Sequence, residues 1–379
     1  MKRVLLVTDY FRPEPGGLEA LFTGIARHWS GNIEVLVTSN KSHYMCTEDD
    51  RHRFDTGEDY PVHRVGPINT RRWFLRGRSR LVEQFRSAVE RTQPEHILFG
   101  DFQSTRFLGS TAESLGLPYS LFLNGSDLKN RLGFFQFTDR RLALGARNVF
   151  TISRYIARGA RGFGVREDRI VVIPPGFEPR WPRSKRESVP DFLEQRIKRK
   201  TILLGLGPFV PRKGLDVAIE SLAMVRDLAP RLHMVLVGSG PEFPYLQELI
   251  RVRQLEQMVT LTGFLQDRML ATIMQRAHVL IQPGCEREDD VESLGTVFME
   301  AAWFGMPVLA GRIGGVEEIV RHGVSGFVVE PGNVSELSDR IRQMTESEKL
   351  RQRFGKNARD IARRDFDMAR TCSAIEMRI

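Results

Sequence analysis

Three observations predict an α/β protein with two lobes of parallel sheet. Short apolar runs alternate with helix-period segments along most of the 379 residues, as when strands are buried on both faces and helices cross between them. The alternation breaks once, at residues 174–200, where Pro174-Pro175-Gly176, Pro179, Pro182 and Pro190 sit in a charged, apolar-poor run; that run reads as a linker. The chain is also longer than one hydrophobic core usually supports.

The elements follow in order. Val4–Thr8 is a compact apolar run ended by Asp9. It is too short for the apolar core of a signal peptide, so it reads as a first strand. The loop to Gly16-Gly17 follows, then a helix over Leu18–Trp29 and a strand over Glu34–Ser39. This is a βαβ unit whose glycine loop permits close approach of a ligand, although Gly-Gly is not the spaced dinucleotide fingerprint. Strands are expected at His96–Phe99, Tyr119–Leu123 and Asn148–Ile152, with a helix around Ser104–Leu115. Asn124-Gly125-Ser126-Asp127 falls just past a strand's carboxyl end, where open α/β sheets bind ligands.

After the linker the pattern restarts. Thr201–Gly205 is a strand, Leu206–Gly214 a loop and Leu215–Leu228 a helix; Met234–Val237 leads into Gly238-Ser239-Gly240. Further strands are expected at Val259–Thr262, Val279–Gln282 and Pro307–Ala310. Lys213-Gly214 opens a helix, where a lysine opposes the dipole but suits a diphosphate. A lone G-x-G is often only a turn.

The most informative stretch runs from Glu292 to Gly305. The acidic loop Glu286–Asp290 precedes Glu292, then comes the turn Leu294-Gly295-Thr296 and an apolar helix with Glu300 at its middle. A carboxylate in such a helix is costly to bury unless it is hydrogen-bonded. Taken alone, Glu300 is as well explained by a wet helix face or an arginine partner. The small-residue turn adds backbone N–H groups at a helix N-terminus, an anion site. Glu292 and Glu300 are eight residues apart, about 12 Å if helical. One long ligand with sugar hydroxyls, a diphosphate and ribose hydroxyls has that layout.

Composition narrows the class. Apolar and charged fractions of 41% and 27% are ordinary for a globular protein, and no apolar run approaches the roughly 18 residues of a membrane span. Cys46, Cys285 and Cys372 are odd in number and lack metal-ligand spacing, which fits a reducing cytoplasm and no cysteine-built metal site. The net charge of +9 is uneven: residues 1–180 hold 27 Lys and Arg against 20 Asp and Glu, the rest 29 against 27. The surplus peaks in the run from Arg71 to Arg80, where Arg71, Arg72, Arg76 and Arg78 interleave with Trp73 and Phe74. Such a run suits an anionic bilayer, RNA without any accompanying fold signature, or simply solvent.

With these residues in view, the second half resembles the retaining nucleotide-sugar glycosyltransferases of glycosyltransferase family 4. The matching segments are VPRKGLDVAIESL, LVGSGPEFPYLQEL, VTLTGFL, DDVESLGTVFMEAAWFGMPVLAGRIGGVEEIV and GVSGFVVEPGN, across roughly residues 200–335. The first half agrees more diffusely, in the Gly-Gly loop, NGSDL and VVIPPGFEP. The wording DVESLGTVFMEA is closest to bacterial envelope α-mannosyltransferases.

The resemblance implies a GT-B fold, two Rossmann-like doubly wound domains facing across a cleft. Residues 1–175 would bind the acceptor and 176–361 the nucleotide-sugar, with a C-terminal helix over about 362–379 returning to the first domain. It implies that Glu292 contacts the transferred sugar, Glu300 the ribose diol, and the amides of Gly295, Thr296 and Val297, beside Leu294, the distal phosphate. Lys213 would neutralise the leaving diphosphate, Gly16 and Gly17 would approach the donor, and Phe264 and Leu265 would line the base pocket.

Two residues depart from the family pattern. Pro208 stands where an arginine usually follows the loop glycine, so either Arg212 substitutes or the pyrophosphate is held less strongly. Asn124 stands where a histidine is common; it can bond a sugar hydroxyl but cannot titrate near neutral pH. No metal or cofactor is implied, and Asp289-Asp290 reads as a loop near the acceptor. The expected function is retaining transfer of a hexosyl group, mannose-type favoured, to a lipid-linked or saccharide acceptor in envelope glycan synthesis. The enzyme would act from the cytoplasm, on the inner membrane face. The rivals are a nucleotide-sugar epimerase of the same fold and a non-catalytic nucleotide- or RNA-binding protein.

Overall fold

The structure is a computed structural model that describes residues 2–14, 16–38, 46–65, 74–128, 136–178, 188–285 and 294–379. The chain divides into two compact units, residues 1–178 with 366–379, and residues 179–365.

The first unit contains β1 (Val4–Thr8), α1 (Gly17–Arg27), β2 (Ile33–Val37), α2 (Glu48–Asp55), β3 (Val62–Arg64), α3 (Phe74–Thr92) and β4 (His96–Phe99). Next come α4 (Phe102–Ser114), β5 (Tyr119–Leu123), α5 (Gln136–Gly145), β6 (Val149–Thr151), α6 (Arg154–Gly162) and β7 (Ile170–Val172). The sheet runs β3-β2-β1-β4-β5-β6-β7 and all its pairs are parallel. β1, β4 and β5 are buried at every position, because helices cover both faces. That is why they read in the sequence as unbroken apolar runs.

The second unit begins with α7 (Asp191–Ile197), β8 (Thr201–Leu206), α8 (Leu215–Ala223), β9 (Leu232–Val237), α9 (Phe243–Val252) and β10 (Val259–Gly263). It continues with α10 (Asp267–Arg276), β11 (Val279–Gln282), α11 (Thr296–Phe304), β12 (Val308–Gly311), β13 (Gly326–Val329), α12 (Val334–Glu346) and α13 (Glu348–Asp365). Its parallel sheet has the order β10-β9-β8-β11-β12-β13. In both sheets the order reverses beside the first strand, between β1 and β4 and between β8 and β11, which opens a crevice at the carboxyl ends.

The last helix, α14 (Met368–Glu376), belongs to the first unit. Phe177 N–H donates to Phe366 C=O (2.9 Å), Thr371 Oγ1 to Pro174 C=O (2.9 Å) and Asn148 Nδ2 to Arg378 C=O (2.8 Å). Gly24 makes room on α1: a Cβ there would lie 2.3 Å from Met368 Cε.

The structure departs from the sequence reading at several places. β3 and β7 are three-residue edge strands with little full burial, so neither apolar content nor period marked them. α7 lies inside the stretch read as linker. Its Leu193 and Ile197 are buried despite polar neighbours, and two apolar side chains in a charged segment are a weak signal. The helix expected over Leu215–Leu228 stops at Ala223 and continues as a single tight turn, Arg226–Leu228.

Candidate active site

The switch point of the second sheet is built by the loops after β8 and β11. The β8 loop passes through Gly207 and Phe209 and ends in the turn Pro211–Lys213, and Gly214 caps α8 with φ +62°. The β11 loop is tied to it: Gly284 N–H donates to Lys213 C=O (3.1 Å) and Cys285 N–H to Arg212 C=O (3.0 Å). Cys285 Sγ donates to Pro211 C=O at 2.7 Å. A Cβ on Gly214 would sit 2.8 Å from the Gly284 carbonyl oxygen, so this seam has room only for glycine. Lys213 is 6% exposed, and a Cβ on Gly207 would stand 3.8 Å from its Nζ. Two bare glycines and a bonded loop thus hold one buried ammonium at the crevice.

The pair Gly238 and Gly240, weak as a sequence signal, holds this loop from the other side. Cβ atoms there would lie 1.9 Å from the Gly207 carbonyl oxygen and 2.4 Å from that of Phe209. Phe209 N–H donates to Ser239 C=O (2.8 Å) and Glu242 N–H to Phe209 C=O (3.0 Å). Phe209 is fully buried and stacks on Phe243. Pro208 therefore sits in a backbone nest that positions Lys213 without needing an arginine for its shape.

α11 starts at Thr296 with Gly295 at its N-cap, φ +79° and no side chain to cap it. The first-turn N–H groups of such a helix point toward the space before it. Leu294, Gly295 and Val297 are buried, Thr296 is half-buried, and Glu300 is 6% exposed on the same helix. Arg212 is half-buried beside Lys213. Glu292 and Asp289-Asp290 lie outside the described residues. Phe264 and Leu265 follow β10, two strands from β8 at the sheet's edge. Phe264 is 47% exposed and Leu265 half-buried.

In the first unit Gly16 caps α1 and Gly17 opens it. The Glu19 carboxylate folds back over this N-terminus, within 1.9 Å of where a Gly16 Cβ would be. Asn124 follows β5 and is 1% exposed; its Nδ2 donates to Gly100 C=O at 3.2 Å, while its Oδ1 is buried without a protein donor. The Asn124 N–H donates to Asp127 Oδ2 (2.7 Å), and Asp9 N–H donates to Asp101 Oδ2 (2.7 Å). Burial pushes the Asp127 carboxyl up to about 7. Burial and then Asp9 raise Asp101 as well. Burial pushes the Tyr10 hydroxyl above its ordinary range, and the surrounding carboxylates add to the effect. Sequence reasoning took Asp9 only as a strand's end and Asp127 only as part of the segment after a strand, and it passed over Asp101, because an isolated aspartate after a strand carries no local signal.

Arg71, Arg72 and Trp73 lie outside the described residues, whereas Phe74, Arg76 and Arg78 fall in α3. Among the described residues no group of three His, Cys, Asp or Glu could hold a metal. No described helix is long and apolar enough to cross a membrane.

Two parallel sheets covered by helices, each with its switch point beside its first strand, define the fold class. Two family models match: "Glycosyl transferase 4-like domain" over residues 16–176 and "Glycosyl transferases group 1" over residues 191–361. Together the two models span most of the chain, and the protein is a glycosyltransferase of the GT-B fold. A relative from Mycobacterium tuberculosis, a GDP-mannose-dependent alpha-(1-6)-phosphatidylinositol monomannoside mannosyltransferase, is 26% identical over 354 residues, 91% of this chain and 89% of that protein. The alpha-D-kanosaminyltransferase of Streptomyces kanamyceticus is 28% identical over 42% of this chain and 40% of its own. Among solved structures, Anabaena HepE in complex with UDP-glucose superposes with a TM-score of 0.77 at 22% identity, covering 99% of this chain and 98% of that one.

Proposed function

We propose that the protein is a retaining hexosyltransferase that takes its sugar, mannose-type favoured, from a nucleoside diphosphate donor. The acceptor is a lipid-linked or saccharide molecule of the cell envelope. The observation that carries this reading is the buried Lys213 at the β8–β11 switch point, on the same sheet edge from which α11 presents an uncapped N-terminus. The similarity to a GDP-mannose-dependent enzyme over nine-tenths of both chains supports the sugar class.

In this reading Lys213, Arg212 and the amides of Gly295, Thr296 and Val297 stabilise the charge that grows on the departing diphosphate. Glu300 holds the ribose diol and Glu292 the sugar hydroxyls. No side chain of the site is assigned as an enzymatic nucleophile, so the departing phosphate oxygen draws the acceptor's proton as the acceptor attacks from the same face. Asn124 Oδ1, buried without a donor, accepts a hydroxyl of the sugar. No metal is required.

A thermal-shift screen against GDP-, UDP-, ADP- and dTDP-sugars, followed by NMR assignment of the product's anomeric configuration, tests the reading. Stabilisation by none of them, or an inverted product, would overturn it. Donor consumption without any acceptor would favour an epimerase. The basic-aromatic run from Arg71 to Arg80, with Phe74, Arg76 and Arg78 on α3, is the proposed contact with the anionic inner membrane face.

A further inference from the structure

At the opposite edge of the second sheet, where β8, β11 and β12 begin, lies a cavity of about 650 Å³. β8 has six residues, so this edge is about 20 Å from the Lys213 loop. Arg199, Lys200, Arg276, His278, Glu348 and Arg351 line it. Four of these are permanent cations, and their charges are poorly matched. Arg276 is held by Glu194 through both Nη atoms. Arg351 uses Nη1 on the carbonyls of Met344 and Thr345 at the end of α12. Glu348 Oε1 accepts from Gln352 Nε2 at 2.9 Å. Arg199 and Lys200 have no ion-pair partner among the described residues.

His278 has a defined orientation. Ile202 N–H donates to its Nδ1 at 3.0 Å, so that nitrogen keeps its lone pair and Nε2 carries the proton as a donor. Partial burial holds Lys200, His278 and Arg351 below their ordinary pKa ranges; Arg196 adds repulsion at Lys200 and Arg351 at His278, while the Glu348 carboxylate acts the other way on His278 and Arg351. An anion in the cavity would relieve all three at once.

We propose that this cavity is a second anion site, separate from the candidate donor site, which takes a phosphate or diphosphate group through Arg199, Lys200, His278 Nε2 and Arg351. Four donors from three segments, Arg199-Lys200 before β8, His278 before β11 and Arg351 on α13, suit a multiply charged group with three or more oxygens better than a single carboxylate. The volume falls in the range of about 300–1,000 Å³ common for small-molecule pockets. Gly305 also lines the cavity and caps the C-terminus of α11, the helix whose other end belongs to the candidate donor site.

The test is calorimetric titration of inorganic pyrophosphate into wild type, into the double variant Lys200→Gln/His278→Asn, and into Lys213→Gln. Asparagine at 278 keeps an acceptor for the Ile202 N–H, and thermal melting checks that each variant folds. If the double variant does not, Lys200→Gln and Arg199→Gln are titrated singly. The expected result is binding that survives Lys213→Gln and weakens about tenfold or more in the cavity variants, the loss of one charge-assisted contact or more. Co-sedimentation with phosphatidylglycerol vesicles forms the second arm, run with Arg71, Arg72, Arg76 and Arg78 changed to Ser so that the basic run does not contribute. Retention of that background and release once the cavity substitutions are added would assign the phosphate to a lipid headgroup; pyrophosphate binding without vesicle retention assigns it to a soluble molecule. No binding in either arm overturns the site, as does binding lost with Lys213→Gln and untouched in the cavity variants.

Discussion

Gly238→Ala separates a positioning role of the G-x-G turn from that of an ordinary turn. A Cβ at 238 would lie 1.9 Å from the Gly207 carbonyl oxygen, whereas ordinary contact begins at about 3.4 Å, so the loop end must retreat by about 1.5 Å. The φ of +145° belongs to a region that is essentially glycine's, a cost of about 1–3 kcal/mol. Retreat also strains the bonds from Gly207 N–H to Val237 C=O and from Phe209 N–H to Ser239 C=O, at about 1 kcal/mol each. The total is about 3–5 kcal/mol, which for a unit spanning residues 179–365 lowers Tm by about 6–20 °C. Gly332→Ala is the control. It has φ +75° with no atom within 4 Å of the added Cβ, and should cost about 1 kcal/mol, or about 2–4 °C. Melting by circular dichroism and nucleotide titration at low temperature measure both effects. Gly238→Ala should also weaken nucleotide diphosphate binding, because Lys213 moves with the loop, and Gly332→Ala should not. Equal melting and equal binding in the two variants would refute the argument.

The other expectations follow from the candidate site and from the first unit. Glu300→Gln should weaken free nucleotide and donor alike, whereas Glu292→Gln should lower turnover with nucleotide affinity nearly intact; wild-type nucleotide binding by both would remove the ribose role of Glu300. Arg212→Ala should cost about 1.5–3 kcal/mol in kcat/KM if it replaces the arginine missing at position 208, and an unchanged value would leave Lys213 and the amides as the phosphate clamp. Asp127 titrates near 7 in the fold against about 3.9 in an unfolded chain. Its contribution to stability is therefore full below about pH 4 and lost as pH rises toward 7. Asp127→Asn keeps an acceptor for the Asn124 N–H and should flatten the fall in Tm between about pH 4 and 7; parallel curves would exclude the carboxyl as its source. Binding to phosphatidylglycerol vesicles should fade with salt and with Arg71, Arg72, Arg76 and Arg78 changed to Ser, and equal binding to neutral vesicles would rule out the basic run as the anchor.

The sequence by itself determined the fully buried strands, the restart after the linker, the glycine turn before α11 and the lysine that opens α8. These are local signals: an unbroken apolar run, a residue that must take positive φ, a charge at a helix end. Pairing decided the rest. β3 and β7 exist because a neighbouring strand offers its edge, and their own three residues carry little preference. Gly238 and Gly240 look like any turn until the β8 loop packs against them, since a missing Cβ matters only where another backbone approaches. Asp9, Asp101 and Asp127 come from loops after three different strands, and only the parallel sheet order brings β1, β4 and β5 side by side, so that burial and a neighbouring carboxylate act together on Asp101 and on Asp127. The same holds for Lys200, His278 and Arg351: no spacing in the chain links them, and their shared cavity is a product of the order in which the strands of the second sheet lie.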